Sequence, residues 1–339
     1  MKFTTVQKAV LALIIANTIW GSASPIFKLS LQNIPPFTLA FWRFFAGSLF
    51  LFPILFLIHA PVSIKLTSKK DFFLLLGNAL MGITGNIIFF FLGLQLTLSL
   101  NAPVIASAGP IVVFMFAVLF LKEKFALKKL FGMALGTIGV IVIIIEPLIQ
   151  KGAGGSILGN IFLIVATLFA VLSTLTGRII FQRYNPFSFT FWAFVIGSAS
   201  FLPLAIHEYM QNPALYIQLD WRGIMGLIFG AVFSSTIAYT FFNWGLSKIS
   251  ATDTSVFSYI DPIVGTILAY FMLHEPITIP FVIGTILIFG GISIAEGRLH
   301  YHPLHKLLTT NPINKLPPDC EGKPASREEV IKHIFNKQV

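Results

Sequence analysis

One carboxylate, Asp261, falls near the middle of a long apolar run, directly before Pro262. Proline has no N–H, so a backbone carbonyl one turn earlier loses its partner. A carboxyl group at that place could take up and release a proton, or equally brace a broken helix. Trp20, Phe90, Tyr239, Phe242 and Tyr259 also lie deep in apolar runs. Aromatic faces give a solute a large apolar contact, while Trp and Tyr keep a polar tip for hydrogen bonding. The competing reading turns them toward lipid, in a chain with 36 phenylalanines. A third group is small and polar: Asn17, Ser22, Ser24, Asn86, Ser107, Thr174, Asn243, Ser255 and Ser258. Asn carries a donor and an acceptor, so Asn86 and Asn243 could read an ammonium or a carboxylate. For Ser and Thr, hydroxyl bonds to the preceding turn and between helices are the simpler use. The candidate substrate contacts are therefore Trp20, Asn86, Phe90, Ser107, Tyr239, Phe242, Asn243, Ser255 and Tyr259, with Asp261 as the coupling group.

These residues need elements that hold them in an apolar medium. Charged residues make up 11% of the 339, against about 25% in soluble globular proteins. So little polar surface could not cover so much apolar side chain, and the chain is read as integral to a membrane. A spanning helix needs about 20 mostly apolar residues. Ten runs qualify: 8–30, 37–58, 71–92, 102–121, 127–145, 156–180, 187–206, 221–242, 254–273 and 277–295. Proline pairs and Asn-Pro or Glu-Pro steps break several of the short links. The single cysteine, Cys320, excludes an intramolecular disulfide. The net charge of +10 does not point to nucleic acid, because the basic residues sit between apolar runs.

The chain is also written twice. Residues 93–143 align without a gap on 245–295, at a constant offset of 152. Pro110 falls on Pro262, Glu123 on Glu275, Gly132 on Gly284 and Gly139 on Gly291. A second stretch, 36–53, lies over 186–203 at an offset of 150. The division expected is a first five-helix repeat over 1–150, a second over 151–297 and a polar tail over 298–339. Lys2, Lys8, Lys65, Lys69, Lys70, Lys122, Lys124, Lys128, Lys129, Arg178, Arg183, Lys248 and the tail put the positive charge on one side, which makes both termini cytoplasmic. Five spans per repeat is odd, so the second copy enters from the opposite face. The repeat is then inverted about an axis in the membrane plane, the arrangement from which alternating access follows.

With Trp20-Gly21 and Lys28 on the first span, Arg43 in the second, and Pro110/Pro262, Glu123/Glu275 and a Gly-rich fifth span in each half, the chain resembles the ten-span EamA family of the drug/metabolite transporter superfamily. The resemblance covers 8–296. It implies export of small metabolites, often amino acids, through a central cavity lined by spans 1, 3, 4, 6, 8 and 9. It also favours Trp20 as a cavity residue, and an acid before Pro262 is common in that family. It places the glycine-rich spans 5 and 10 together, away from the path, which leaves room for a homodimer across that face. Val171 stands where the first repeat has Gly21, and the sixth span has no tryptophan, so the cavity wall there is not carried over.

Arg43 is read as an interfacial residue whose side chain can snorkel outward, with attraction of an anionic solute as the lesser reading. Lys28, Arg43, Arg178 and Arg222 lie toward span ends, which argues against a multiply charged phosphate substrate. Glu123 reads as an interfacial anchor. The glycines near 152–159 imitate a nucleotide loop but follow no strand, and His300, His302 and His305 sit in the polar tail, split by Pro303. Ser326 and Glu329 form a capping-box pattern there. No Ser–His or Cys–His pair shares a depth, so an enzyme is not expected, and neither a cofactor nor a metal. No filter-like loop marks a channel. The reading is an all-α, multi-pass protein of the cell membrane, a secondary-active exporter of small metabolites such as amino acids, with Asp261 as the candidate group should transport be coupled to protons. An intramembrane lipid-modifying enzyme, or a sugar or nucleoside carrier of the same superfamily, is the alternative.

Overall fold

The computed structural model describes residues 4–64, 68–110, 112–113, 116, 127–149, 155–249 and 251–296. Glu123, residues 150–154, Cys320 and the whole 298–339 tail with its histidines and capping-box pattern lie outside them. The described residues form helices and no strand. In chain order these are α1 (Thr5–Ser30), α2 (Pro36–Leu57), α3 (Lys69–Leu96), α4 (opening at Asn101–Ala106), α5 (Leu127–Ile149), α6 (Ile157–Ile180), α7 (Pro186–Gln211), α8 (Trp221–Lys248), α9 and α10 (Ile279–Glu296). The ninth is made of three pieces, Ala251–Ser255, a 3-10 turn Val256–Tyr259, and Ile260–Leu273. Six of them (α1, α2, α3, α6, α7 and α8) are long and apolar enough to cross a membrane. Shorter apolar helical stretches fall within α5, α9 and α10.

Local chemistry explains where the helices begin. Thr4 and Gln7 form a capping box at α1, with Thr4 N donating to Gln7 Oε1 at 2.8 Å and Gln7 N to Thr4 Oγ1 at 3.2 Å. Pro36 and Pro186 occupy the first turns of α2 and α7, where their missing N–H costs nothing. Asp220 caps α8 by accepting from Arg222 N at 2.8 Å. Its carboxyl is held below the usual carboxylate range, first by the side-chain hydrogen bond from Arg222.

The packing follows the repeat. Helix α1 packs on α9 and α8, and their repeat partners do the same: α6 packs on α4 and α3. Helix α2 packs on α8, and α7 on α3. The pairs α2–α7 and α5–α10 join equivalent helices from the two halves. That is the contact pattern of a two-fold relation whose axis runs between α2 and α7 at one side and between α5 and α10 at the other.

Glycines set the crossing of α5 and α10. A Cβ on Gly139 would lie 2.6 Å from the Gly284 carbonyl oxygen. In the repeat-related contact, a Cβ on Gly291 would meet the Gly132 carbonyl oxygen. Any larger residue on either side would hold α5 and α10 apart. The glycine faces of α5 and α10 thus close on one another within one chain.

Cations finish two other helices in the same repeated way. Lys28 Nζ donates to the carbonyls of Leu94 and, at 2.7 Å, Thr97 at the end of α3. Arg178 Nη1 donates to Leu246 O at 2.7 Å near the end of α8. Positions 28 and 178, and 94 and 246, are repeat partners, so each half satisfies the orphaned carbonyls of its third helix with a cation from its first. Glu275 does the converse at the start of α4. Its carboxylate accepts from Ser99 N at 2.8 Å, Ser99 Oγ at 2.9 Å and Leu100 N at 3.0 Å.

Candidate functional site

Helices α3 and α8 both widen into π-helix, over Leu80–Gly85 and Phe229–Tyr239. These segments overlap under the repeat, since 80–85 maps to 232–237. A π turn is uncommon and concentrates at functional sites. Both segments border one cavity of about 250 Å³ between the two halves.

The cavity lining repeats itself. Asn17 pairs with Thr167, Trp20 with Ala170, Phe27 with Gly177, Arg43 with Ala193, Gly82 with Ser234, Ile87 with Tyr239, Phe90 with Phe242, Ala102 with Thr254 and Gly109 with Asp261. Every member of these pairs lines the same space. The walls are thus two copies of one surface, decorated differently.

Trp20 is fixed by its neighbours. Its ring lies edge-to-face on Tyr239, with centroids 5.0 Å apart at 76°, and tilted on Phe242 at 4.9 Å. Its indole N–H donates to the Ser234 carbonyl at 3.1 Å, within the π segment of α8. Tyr239 is also wedged against Phe44 and Phe194. Phe90 lines the cavity and packs on Phe91.

Asn86 and Asn243 line the cavity, but each has its amide bonded to the protein. Asn86 donates to Ala166 O at 2.9 Å, and Asn243 to Thr190 Oγ1 at 2.9 Å. Asn78, not singled out from the sequence, binds Ser173 O at 2.7 Å and Thr176 Oγ1 at 2.6 Å. Ser255 belongs to the lining. Ser107 does not; it is fully buried, and its hydroxyl donates to Val104 O at 2.6 Å. Tyr259 is likewise outside the lining and rests against Phe289, with centroids 6.0 Å apart.

Asp261 stands in the first turn of the last piece of α9 and lines the cavity. Its Oδ1 is buried without a hydrogen-bond partner among the described residues. The backbone around it touches α1: a Cβ on Gly21 would lie 2.9 Å from both Asp261 Cα and Asp261 O. The Gly21 carbonyl, left without its helical donor because Pro25 has no N–H, faces Gly265. In the repeat-related crossing of α6 and α4 the sizes are exchanged, with Val171 against Gly109. Gly21→Val171 and Gly109→Asp261 are thus one compensating swap, and the departure at position 171 has a packing cause.

Arg43 corrects the sequence reading. It does not snorkel; it is 1% exposed and lines the cavity. Its Nε donates to Ser235 Oγ at 3.2 Å and its Nη2 to Ser234 Oγ at 2.9 Å. The guanidinium lies 4.7 Å from the ring centroids of both Phe27 and Phe44. The π segment of α8 presents two successive serines to it, and the rings supply cation–π attraction. Sequence position alone did not show that α8 would close over this side chain. An arginine seven residues inside an apolar run, whose repeat partner is Ala193, was the available signal.

The EamA-like transporter family model matches residues 7–145 and again 157–296. An uncharacterized transporter of Archaeoglobus fulgidus is 25% identical over 294 residues, covering 87% of this chain and 99% of its own. The uncharacterized transporter YetK of Bacillus subtilis is 27% identical, covering 84% of this chain and 86% of its own. One solved crystal structure superposes with a TM-score of 0.62 at 18% identity, covering 85% of this chain and 96% of that one.

Proposed function

This chain belongs to the EamA-like transporter family and is a multi-pass membrane transporter, and on that basis we propose that it is a secondary-active carrier exporting small organic solutes by alternating access. The observation that carries the proposal is the self-pairing of the cavity lining. A pocket built from two copies of one surface can open to either side by exchanging the conformations of the copies. Ten spans with both termini cytoplasmic supply the inversion that this exchange requires.

In this reading Trp20, Tyr239 and Phe242 form the aromatic floor on which the solute rests, with Phe90, Asn86, Asn243 and Ser255 around it. The cavity of about 250 Å³ suits a solute of amino-acid size. Ser107 and Tyr259 act on the walls from behind. Asp261 is the proton-coupling group, since its Oδ1 has no partner among the described residues and its carboxyl group can be charged or neutral as the cavity opens to each side.

Reconstitution in proteoliposomes tests this. A member of an amino-acid panel is expected to show saturable counterflow, accelerated by a proton gradient. Asp261→Asn is expected to abolish the gradient-driven part and keep the exchange. Driven transport unchanged in Asp261→Asn removes the coupling role. Labelling Lys69 and Lys151 from the same side of the membrane would remove the inverted topology and the carrier mechanism with it.

A further inference from the structure

The two copies of the cavity surface differ in a directed way. Four of the pairs place their large or ionisable member on one set of packed helices, α1, α2, α8 and α9: Trp20, Arg43, Tyr239 and Asp261. Their partners Ala170, Ala193, Ile87 and Gly109 stand on α6, α7, α3 and α4. Among the described residues of the lining, Arg43, Tyr239 and Asp261 are the ionisable ones, and all three stand on one wall. The other wall's asparagines, Asn78 and Asn86, already donate within that wall, to α6.

Arg43 is the unusual member. Taking a charge out of water is costly unless it is paired. Among the described residues its guanidinium is bonded to two neutral serine hydroxyls and no carboxylate. Its Nη1 is buried and has no partner among the described residues. That nitrogen carries two N–H donors. The other nitrogens are tied and the plane is held between Phe27 and Phe44, so the guanidinium is oriented in advance.

We propose that Arg43 is the specificity-determining residue of the cavity, receiving the carboxylate of a solute whose apolar body lies between the aromatic floor of Trp20, Tyr239 and Phe242 and the uncharged wall formed by Ile87, Phe90, Ala170 and Ala193. This rests on the carrier reading above and narrows it to carboxylates with one anionic group and an apolar body. A planar guanidinium with free N–H donors matches a carboxylate in shape and charge. A single arginine, with no second cation among the described residues of the lining, suits one negative charge and not several.

The test uses the purified full-length protein and a matched set of probes: 4-methylpentanoate, leucine and leucinamide. Binding is read by thermal shift and by tryptophan fluorescence, and flux by counterflow in proteoliposomes. At least one of the two carboxylates is expected to bind, and leucinamide to bind about ten- to a hundredfold more weakly, the range of one charge-assisted hydrogen bond. Leucine alone binding assigns an amine site beside Arg43; 4-methylpentanoate binding as well shows that the carboxylate and apolar body suffice. Arg43→Gln is expected to abolish the preference for carboxylate over amide, and Arg43→Lys to keep part of it. If Arg43→Gln does not fold, Ser234→Ala decides: it unties Nη2 and is expected to weaken the carboxylates while leaving leucinamide unchanged. Equal binding of leucinamide, binding of neither carboxylate, discrimination retained in Arg43→Gln, or no effect of Ser234→Ala overturns the proposal. Saturable flux of solutes without any carboxylate preference would overturn it and leave the carrier reading standing. Absence of saturable flux for solutes of every charge class would instead remove the carrier reading.

Discussion

The exchanged crossings give a prediction with opposite signs at repeat-related places. Replacing Gly21 by alanine adds a methyl 2.9 Å from Asp261 Cα, 2.9 Å from Asp261 O and 3.0 Å from Val264 Cβ. Two of those atoms are backbone, so no side-chain rotation relieves the clash. Ordinary contact begins near 3.4 Å, and α9 must move outward by about half an ångström in a tightly packed interior. Overpacking of this kind costs about 1–3 kcal/mol, against about 1 kcal/mol recovered from the better helix propensity of alanine. The net is a loss of up to about 2 kcal/mol. Gly109→Ala is different. Its methyl would lie 3.4 Å from Val171 Cγ2 and 3.8 Å from Thr167 Cγ2, both side-chain atoms at normal distance. Here the propensity gain of up to about 1 kcal/mol has no clash to offset it. Thermal unfolding of the two variants in detergent, followed by intrinsic fluorescence, should move the midpoint down by a few degrees for Gly21→Ala and not down for Gly109→Ala. The exchange of sizes is refuted if Gly21→Ala unfolds with wild-type protein or if Gly109→Ala falls as far.

Other perturbations separate the structural groups from the working ones. Lys28→Met removes two charge-assisted bonds to the end of α3 and is expected to destabilise by about 1.5–3 kcal/mol, with Arg178→Met similar at α8 and Lys28→Arg close to wild type; denaturant midpoints check this. Glu275→Ala leaves three donors at the start of α4 without their acceptor and should cost about 1–2 kcal/mol, visible as faster hydrogen exchange at Ser99 and Leu100. Gly139→Leu should separate α5 from α10 and lower the yield of folded protein in membranes, while Trp20→Ala should fold and lose solute binding. Wild-type binding by Trp20→Ala would remove the aromatic floor from the site.

The sequence by itself determined the repeat and its consequences. Offsets of 150 and 152 are read from residue identities, and with them come the pairings 28/178, 90/242 and 109/261. Apolar runs located the helices because backbone polar groups must be satisfied internally wherever water is absent. Trp20, Phe90, Tyr239, Phe242 and Asp261 were selected by depth, and depth follows from distance along a helix of fixed rise. What it left open was which face each helix turns to which neighbour. Tyr259 and Ser107 sit at similar depth to the cavity residues yet look elsewhere, because a rotation of one residue turns a side chain by about 100°. Widening of α3 and α8 into π turns shifts that phase again, and no residue type announces it. Only the packed structure brought Ser234 and Ser235 to Arg43, 191 and 192 residues away, and made an arginine expected at the membrane surface a buried cation on the cavity wall. Position along one helix sets depth; the direction a side chain faces is settled only when the neighbouring helices arrive.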